Sequence, residues 1–271
     1  MITASAMYNQ VAKRFAMCFT MRSVCFSRTM MFALAVSVST SAFAFINNYT
    51  QDFEGLDRTS STALGGDGWR VFGNVFNPDG SYFGGYGVFP APNGGPGFSA
   101  IVTGEGGATQ GQNQLSIYND YNNPEHTNGS GRTIESNVFQ ERTIAAGDLG
   151  RTFNFTFDYK ASSTNGPSGV STAQAFFKVL NPNNNFALVS FPTFVTTNAS
   201  TSWSTGSLSI TIDNAWTGHI FQFGFMNTAV NLSNTTVFYD NISMVDAIPE
   251  PLTMSVLAAG LLGLAARRRR K

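Results

Sequence analysis

The chain has 271 residues, 42% of them hydrophobic and only 12% charged, and its 16 basic and 16 acidic side chains cancel. The balance is uneven: four cations precede Phe45 and five follow Ala266, whereas Phe45 to Ile248 carries fifteen acidic and seven basic residues, a net charge of −8. An acidic body argues against nucleic-acid binding, which needs a basic surface. Both cysteines, Cys18 and Cys25, lie in the first 44 residues, so the rest of the chain holds no disulfide framework, zinc–thiolate site or cysteine nucleophile.

At the N-terminus Lys13, Arg14, Arg22 and Arg28 lead into an apolar stretch over 30–38, and Ala42-Phe43-Ala44 supplies small residues at minus three and minus one of a cleavage site. This pattern predicts a signal peptide over 1–44, handled by the Sec export machinery and cut by signal peptidase after Ala44, with Ala42 and Ala44 as its recognition residues. Forty-four residues exceed the usual roughly 15–30, and initiation at Met21 gives a conventional length. The body, 45–247, is then one extracellular domain of about 200 residues, long enough to bury a core without covalent staples.

The first part of the body, 65–111, is rich in Gly, Asn and aromatics, as in Asp67-Gly68-Trp69-Arg70, Asn77-Pro78-Asp79-Gly80 and Tyr82-Phe83-Gly84-Gly85-Tyr86. It reads as long loops joining short edge strands, with turns that Gly and Asn-Pro-Asp-Gly favour. Trp69, Tyr82 and Tyr86 are candidates for a sugar-stacking platform, because an aromatic face suits the C–H face of a pyranose; the competing reading makes them core. Trp203 and Trp216 are weaker candidates.

Further along, β-structure dominates. Residues 151–160 place Phe153, Phe155, Phe157 and Tyr159 on one face, and 220–226 repeats the pattern with Phe221, Phe223 and Phe225. This is the period-two alternation of a half-buried strand. Strands are also predicted over 133–143, 173–180, 187–195, 207–212 and 237–245, separated by Asn-Pro, Gly-Pro and Asp-Asn turns. No amphipathic helix is evident in the body. The predicted fold is all-β, a single antiparallel β-sandwich or jelly roll, with a transmembrane helix added at the C-terminus.

That helix is predicted over 252–266, an uncharged apolar run preceded by Pro249-Glu250-Pro251 and followed by Arg267, Arg268, Arg269, Arg270 and Lys271. The basic cluster stops transfer and stays cytoplasmic. Fifteen residues span roughly 22 Å, short of a roughly 30 Å hydrocarbon core, a difference that snorkelling arginines make up. The two prolines leave an extended segment around Glu250.

Pro-Glu-Pro, short apolar helix and arginine cluster, in that order, resemble the PEP-CTERM sorting domain of exopolysaccharide-producing Gram-negative bacteria, also called the ice-binding protein C-terminal domain. The resemblance covers 248–271 and implies recognition by an exosortase, cleavage near the Pro-Glu-Pro, and passage from the inner membrane to the cell surface or extracellular matrix. It does not imply ice binding, since the tail is shared by many kinds of cargo. The body resembles jelly-roll carbohydrate-binding modules of the galactose-binding-like kind in Asp52-Phe53-Glu54-Gly55, Gly68-Trp69, the strand with Phe155, Phe157, Asp158 and Tyr159, and Val237-Phe238-Tyr239-Asp240-Asn241-Ile242. In such modules a first-strand acid and a last-strand aspartate help hold a structural calcium; carried over, these are Glu54 and Asp240. Calcium takes six to eight oxygens, so backbone carbonyls or water have to complete the set. The alternative for both is a pair of solvated acids at strand ends.

Catalysis is not expected. The body has only His126 and His219, and no nucleophile elbow, zinc-protease helix, phosphate loop or dinucleotide fingerprint. A glycosidase needs only two carboxylates, for which Glu105, Glu125, Glu135 and Glu141 are candidates, but their spacing selects no pair. The expected function is therefore a non-catalytic surface or matrix protein in contact with exopolysaccharide. A purely structural or adhesive protein is the alternative, and a polysaccharide-active enzyme a third. Threonine-row ice binding is remote, because Thr196, Thr197, Thr201 and Thr205 lack regular spacing.

Overall fold

The computed structural model describes residues 45–88, 90–91, 99–119, 130–230 and 235–247. The predicted signal peptide with Ala42 and Ala44, the Pro249-Glu250-Pro251 motif, the 252–266 helix and the terminal cation cluster lie outside the described residues, as do Glu125 and His126. Among the described residues no helix is long and apolar enough to cross a membrane.

Two antiparallel sheets form a sandwich. The six-stranded sheet runs β11 (Ser204–Thr211), β7 (Thr152–Ala161), β13 (Thr235–Asp246), β5 (Asn113–Asn119) and β4 (Ser99–Thr103), with β1 (Tyr49–Gln51) also on β13. The seven-stranded sheet runs β10 (Thr193–Val195), β8 (Thr172–Asn181), β12 (Ile220–Val230), β6 (Thr133–Thr143), β2 (Trp69–Phe76) and β3 (Tyr82–Tyr86), with β9 (Ala187–Ser190) also on β8. From β5 to β8 and again from β10 to β13 each strand lies in the other sheet from the one before it, so these connections cross from sheet to sheet, whereas β2–β3, β4–β5 and β8–β9 are hairpins within one sheet. The only α-helix among the described residues is the four-residue turn α1 (Ala63–Gly66).

The alternating phenylalanines meet where the periodicity directs them. Phe153, Phe155 and Phe157 of β7 face Phe221, Phe223 and Phe225 of β12, all buried. The rings of Phe155 and Phe223 pack edge to face at 5.4 Å, and Phe225 stacks on Tyr239 of β13 at 3.7 Å. The Tyr239 hydroxyl, inside the core, shares a 2.8 Å hydrogen bond with Thr196, so its polar end is satisfied. Burial holds the phenol pKa well above its ordinary value.

Some expectations change. The single strand predicted over 187–195 is two, β9 and β10, because Pro192 between them has no N–H to continue a ladder; its carbonyl still accepts from Phe177 N at 3.0 Å. The 65–111 region is more regular than loops and edges: β2 is an interior strand of eight residues, paired along its length with β6. β5, which carries polar Gln114, Ser116 and Asn119 in buried positions, has no counterpart among the predicted strands.

The two ends of the body are fastened together. Buried Asp148 accepts from Ile46 N and Ala145 N, and Arg151 joins it at 2.5 Å and Asp246 at 2.6 Å. Asp246 N in turn donates to Asn48 Oδ1. These links hold the entry of β1 beside the exit of β13, the arrangement on which the next site depends.

Candidate functional site

Two groups of chemistry-bearing side chains stand out, one on the outer face of each sheet. The first lies where β13 changes partner. Its residues 235–239 pair with β5, and Ile242 to Met244 pair with β1; Asp240 and Asn241 fall in the gap. The ladder with β7 slips there, and Asn241 takes a left-handed φ of 46°, the bulge geometry that re-aims a side chain. Opposite, Phe53 has a left-handed φ of 60°, unusual for a bulky residue, which sends its ring into the core and leaves Glu54 facing the gap.

The structure brings Glu54 and Asp240 into one electrostatic cluster with Asp158. Glu54 Oε1 accepts from Gln112 N and Asn113 N, each at 2.7 Å. Gly111 makes this possible: a Cβ there would sit 2.5 Å from Glu54 Oε1. Asp158 Oδ2 accepts from Gln110 Nε2 and Asn241 Nδ2, each at 2.8 Å. Asp240 is fully buried, and burial, reinforced by the charges of Glu54 and Asp158, pushes its pKa up to about 7 against the opposing hydrogen bond from Asn241 N.

The donor set suits a hard cation. Asp240 Oδ2 and the neighbouring Gln114 Oε1 are buried oxygens with no hydrogen-bond partner among the described residues, an arrangement that costs free energy unless something else pairs with them. Among the described residues no three His, Cys, Asp or Glu converge as a metal cluster. An ion here would thus rely on two carboxylates plus amide and backbone oxygens, chemistry that fits calcium and not zinc. Gln114 and Asn241 were not foreseen, since neither carries a local sequence signal and both act only through tertiary contact.

The second group lies on the outer face of the seven-stranded sheet. Inward residues of β2, β6, β12 and β8 fill the core, yet their outward neighbours are buried too: Phe139, Phe176 and Met226 are 8%, 0% and 6% exposed, with Phe72 and Phe191 packed against them. Outward side chains on a flat solvated sheet stay wet, so these rings form a second, smaller apolar cluster on this face. Gly224 of β12 helps form it, because a Cβ there would lie 2.8 Å from the Phe139 Cβ. Polar groups are set among the rings. Asn74 and Asn137 amides donate to Glu135 Oε1 at 2.8 Å, and Lys178 Nζ reaches Asn137 Oδ1 at 3.2 Å while lying over the Phe176 ring. Burial lowers the Lys178 pKa, partly offset by Glu135. Farther along, Gln222 donates to Glu141, which also pairs with Arg70.

The three aromatics nominated as a platform separate. Trp69 is 2% exposed, stacked 6.4 Å from Phe225, with its indole N–H given to Tyr49 Oη at 2.8 Å; it is core. Tyr86 is half-buried against the same core. Tyr82, 60% exposed, packs on Phe76 at 6.0 Å and lies on the outer face of the edge strand β3.

No protein-family model and no curated protein matches this chain. Among solved structures it is similar to a family 16 carbohydrate-binding module-2, at 13% identity over 55% of this chain and 85% of that one, with a TM-score of 0.36. It is also similar to the C-terminal family 22 carbohydrate-binding module of Clostridium thermocellum Xyn10B, at 12% identity over 73% and 93%, TM-score 0.37. A cyclase from Fischerella sp. TAU matches at 14% identity over 76% and 100%, TM-score 0.42. Neither a ligand nor a reaction is carried across by likenesses of this degree.

Of the glutamates considered for acid–base work, Glu135 and Glu141 share one face of β6 but stand six residues apart, roughly 20 Å at strand spacing. Glycosidase pairs sit roughly 5–10 Å apart. Glu105 is tied to Lys160 at 2.8 Å.

Proposed function

We propose that this chain is an exported, non-catalytic protein of the cell surface or exopolysaccharide matrix, whose sandwich binds polysaccharide along the outer face of the seven-stranded sheet. The observation that carries this reading is the outer face itself, where exposed Tyr82 and the partly buried rings of Phe72 and Phe191 stand beside amide, carboxylate and ammonium groups. A neutral glycan has the same two needs, apolar C–H faces and hydroxyls that want both donors and acceptors. From Glu135 to Glu141 the face runs roughly 20 Å, room for several consecutive sugar rings. Glu54 and Asp240 act apart from this face as a calcium site that ties the ends of the body together.

The test is retardation of the purified body in native gels cast with soluble polysaccharide. Tyr82→Ala, at an exposed edge-strand position, is expected to weaken retention roughly tenfold, the size of a single interface hot spot, while leaving the melting temperature unchanged. Unaltered retention in Tyr82→Ala and Lys178→Met alike would rule out this face. Export and sorting are read by intact mass. Protein recovered from the surface is expected to lack 1–44 and the 252–271 tail, and a strain without exosortase is expected to keep the tail. A tail kept in both strains would instead mean an inner-membrane anchor with a periplasmic body.

A further inference from the structure

On the opposite sheet, segment 104–112 folds over the outer face and leaves an open pocket of about 330 Å³, at the lower end of the roughly 300–1,000 Å³ found for small-molecule sites. It is lined by Gly107, Ala108 and the side chains of Thr109, Gln110, Asp158, Trp203, Ser204 and Thr205. Resting on the reading of this chain as a polysaccharide binder, we infer that this pocket is a second carbohydrate subsite, taking one neutral sugar ring against Trp203.

The ring is held in place before any ligand arrives. Trp203 Nε1 donates to the Glu105 carbonyl at 2.9 Å, and Lys160, paired with Glu105, lies 5.3 Å from the ring centre. Gly107 is required beside it, since a Cβ there would lie 2.9 Å from Trp203 Cδ1 and 2.6 Å from Gln110 Oε1. A fixed aromatic surface loses little entropy on binding. Around it, Thr205 Oγ1 donates to Asp158 Oδ1 at 2.7 Å and Thr109 Oγ1 accepts from Gln110 Nε2 at 2.8 Å. The first hydroxyl keeps lone pairs for a sugar O–H, and the second keeps a proton to give.

The pocket's one ionisable lining group is a carboxylate, which disfavours phosphorylated or uronic ligands and leaves neutral sugars. Its roof is pinned by the calcium-type cluster: Glu54 holds the 112 and 113 amides, and Asn241 donates to the Thr109 carbonyl at 3.0 Å. With one site on each outer face, a single molecule bridges two polysaccharide strands, the property a matrix protein needs.

The experiment runs wild type, Trp203→Ala, Ala108→Trp, Tyr82→Ala and the Trp203→Ala/Tyr82→Ala double variant through native gels containing hydroxyethylcellulose, galactomannan or arabinoxylan. The turbidity each protein induces in the same polymers is read alongside. Ala108→Trp fills the mouth and leaves Trp203 in place, so it stands in should Trp203→Ala fold poorly. Expected are retardation reduced at least threefold and turbidity abolished in each single variant, with retardation lost fully only in the double. Trp203→Ala and Ala108→Trp that both match wild type would overturn the subsite. If Tyr82→Ala alone abolishes retention, the pocket falls and the outer-face reading stands; if Trp203→Ala alone does so, the reverse holds. Wild type unretarded by all three polymers sinks both.

Discussion

Millimolar calcium is expected to raise the melting temperature of the body at pH 8 by on the order of 5–10 °C, and chelator to reverse it, from a linkage of roughly 2–3 kcal/mol at a hundredfold excess over Kd. The cause is Asp240, buried with one carboxylate oxygen unpartnered and a pKa raised to about 7. In the absence of metal its sign is unfavourable. Below the unfolded carboxylate pKa of 3.8 the group is protonated in both states and costs nothing. As pH rises from there toward 7 the unfolded chain releases its proton first, so stability falls through that window by a few kcal/mol and is level above it. A bound divalent cation favours the ionised form and reverses the trend. Asp240→Asn is therefore expected to cross the wild type: more stable without calcium above pH 7, less stable with it, and indifferent to chelator. If calcium leaves the wild type unmoved and Asp240→Asn follows it at every pH, the cluster is neither an ion site nor a strained one.

Much of the sandwich was legible in the sequence because one side of a strand is dry and the other wet. Phe153, Phe155 and Phe157, or Phe221, Phe223 and Phe225, announce their strand by that contrast alone. The outer-face apolar cluster was not found because it abolishes the contrast. Val138-Phe139, Phe176-Phe177 and Phe225-Met226 are adjacent apolar pairs, so both faces of β6, β8 and β12 are covered. Such doublets in otherwise alternating strands are the available signal, since a sheet backed by one partner needs apolar residues on one face only. β5 was missed for the opposite reason: buried Gln114 and Asn119 read as polar, and only the fold shows what they meet. Asn119, for example, donates to the carbonyls of Ile134 and Asn227. Glu54 and Asp240 came into view through family resemblance, for they are 186 positions apart in the chain and joined only by the bulge in β13.

Trp69 offers the sharpest separation between a ring that binds and a ring that supports. Its indole lies among Phe53, Phe223 and Phe225, and its N–H donates to Tyr49 Oη, which donates in turn to Asp67. Gln51 Nε2 also donates to Asp67 Oδ2, at 2.6 Å, and Gln140 Nε2 donates to the Asp67 carbonyl at 2.8 Å, so the network ties β1 and the start of β2 to β6. Trp69→Ala is expected to cost roughly 3–5 kcal/mol through the cavity and the loss of the indole donor to half-buried Tyr49, which for a body of this size lowers the melting temperature by on the order of 10 °C or more. Trp69→Phe keeps most of the volume and loses the donor, and is expected to recover more than half of that loss. Neither variant changes the affinity of the remaining folded protein for polysaccharide, measured at a temperature below both transitions. Intact stability with lost binding in Trp69→Ala would return this residue to the ligand surface, and the assignment of the outer face of the seven-stranded sheet would then lack its main contrast, since Trp69 points to the opposite side of β2 from Phe72.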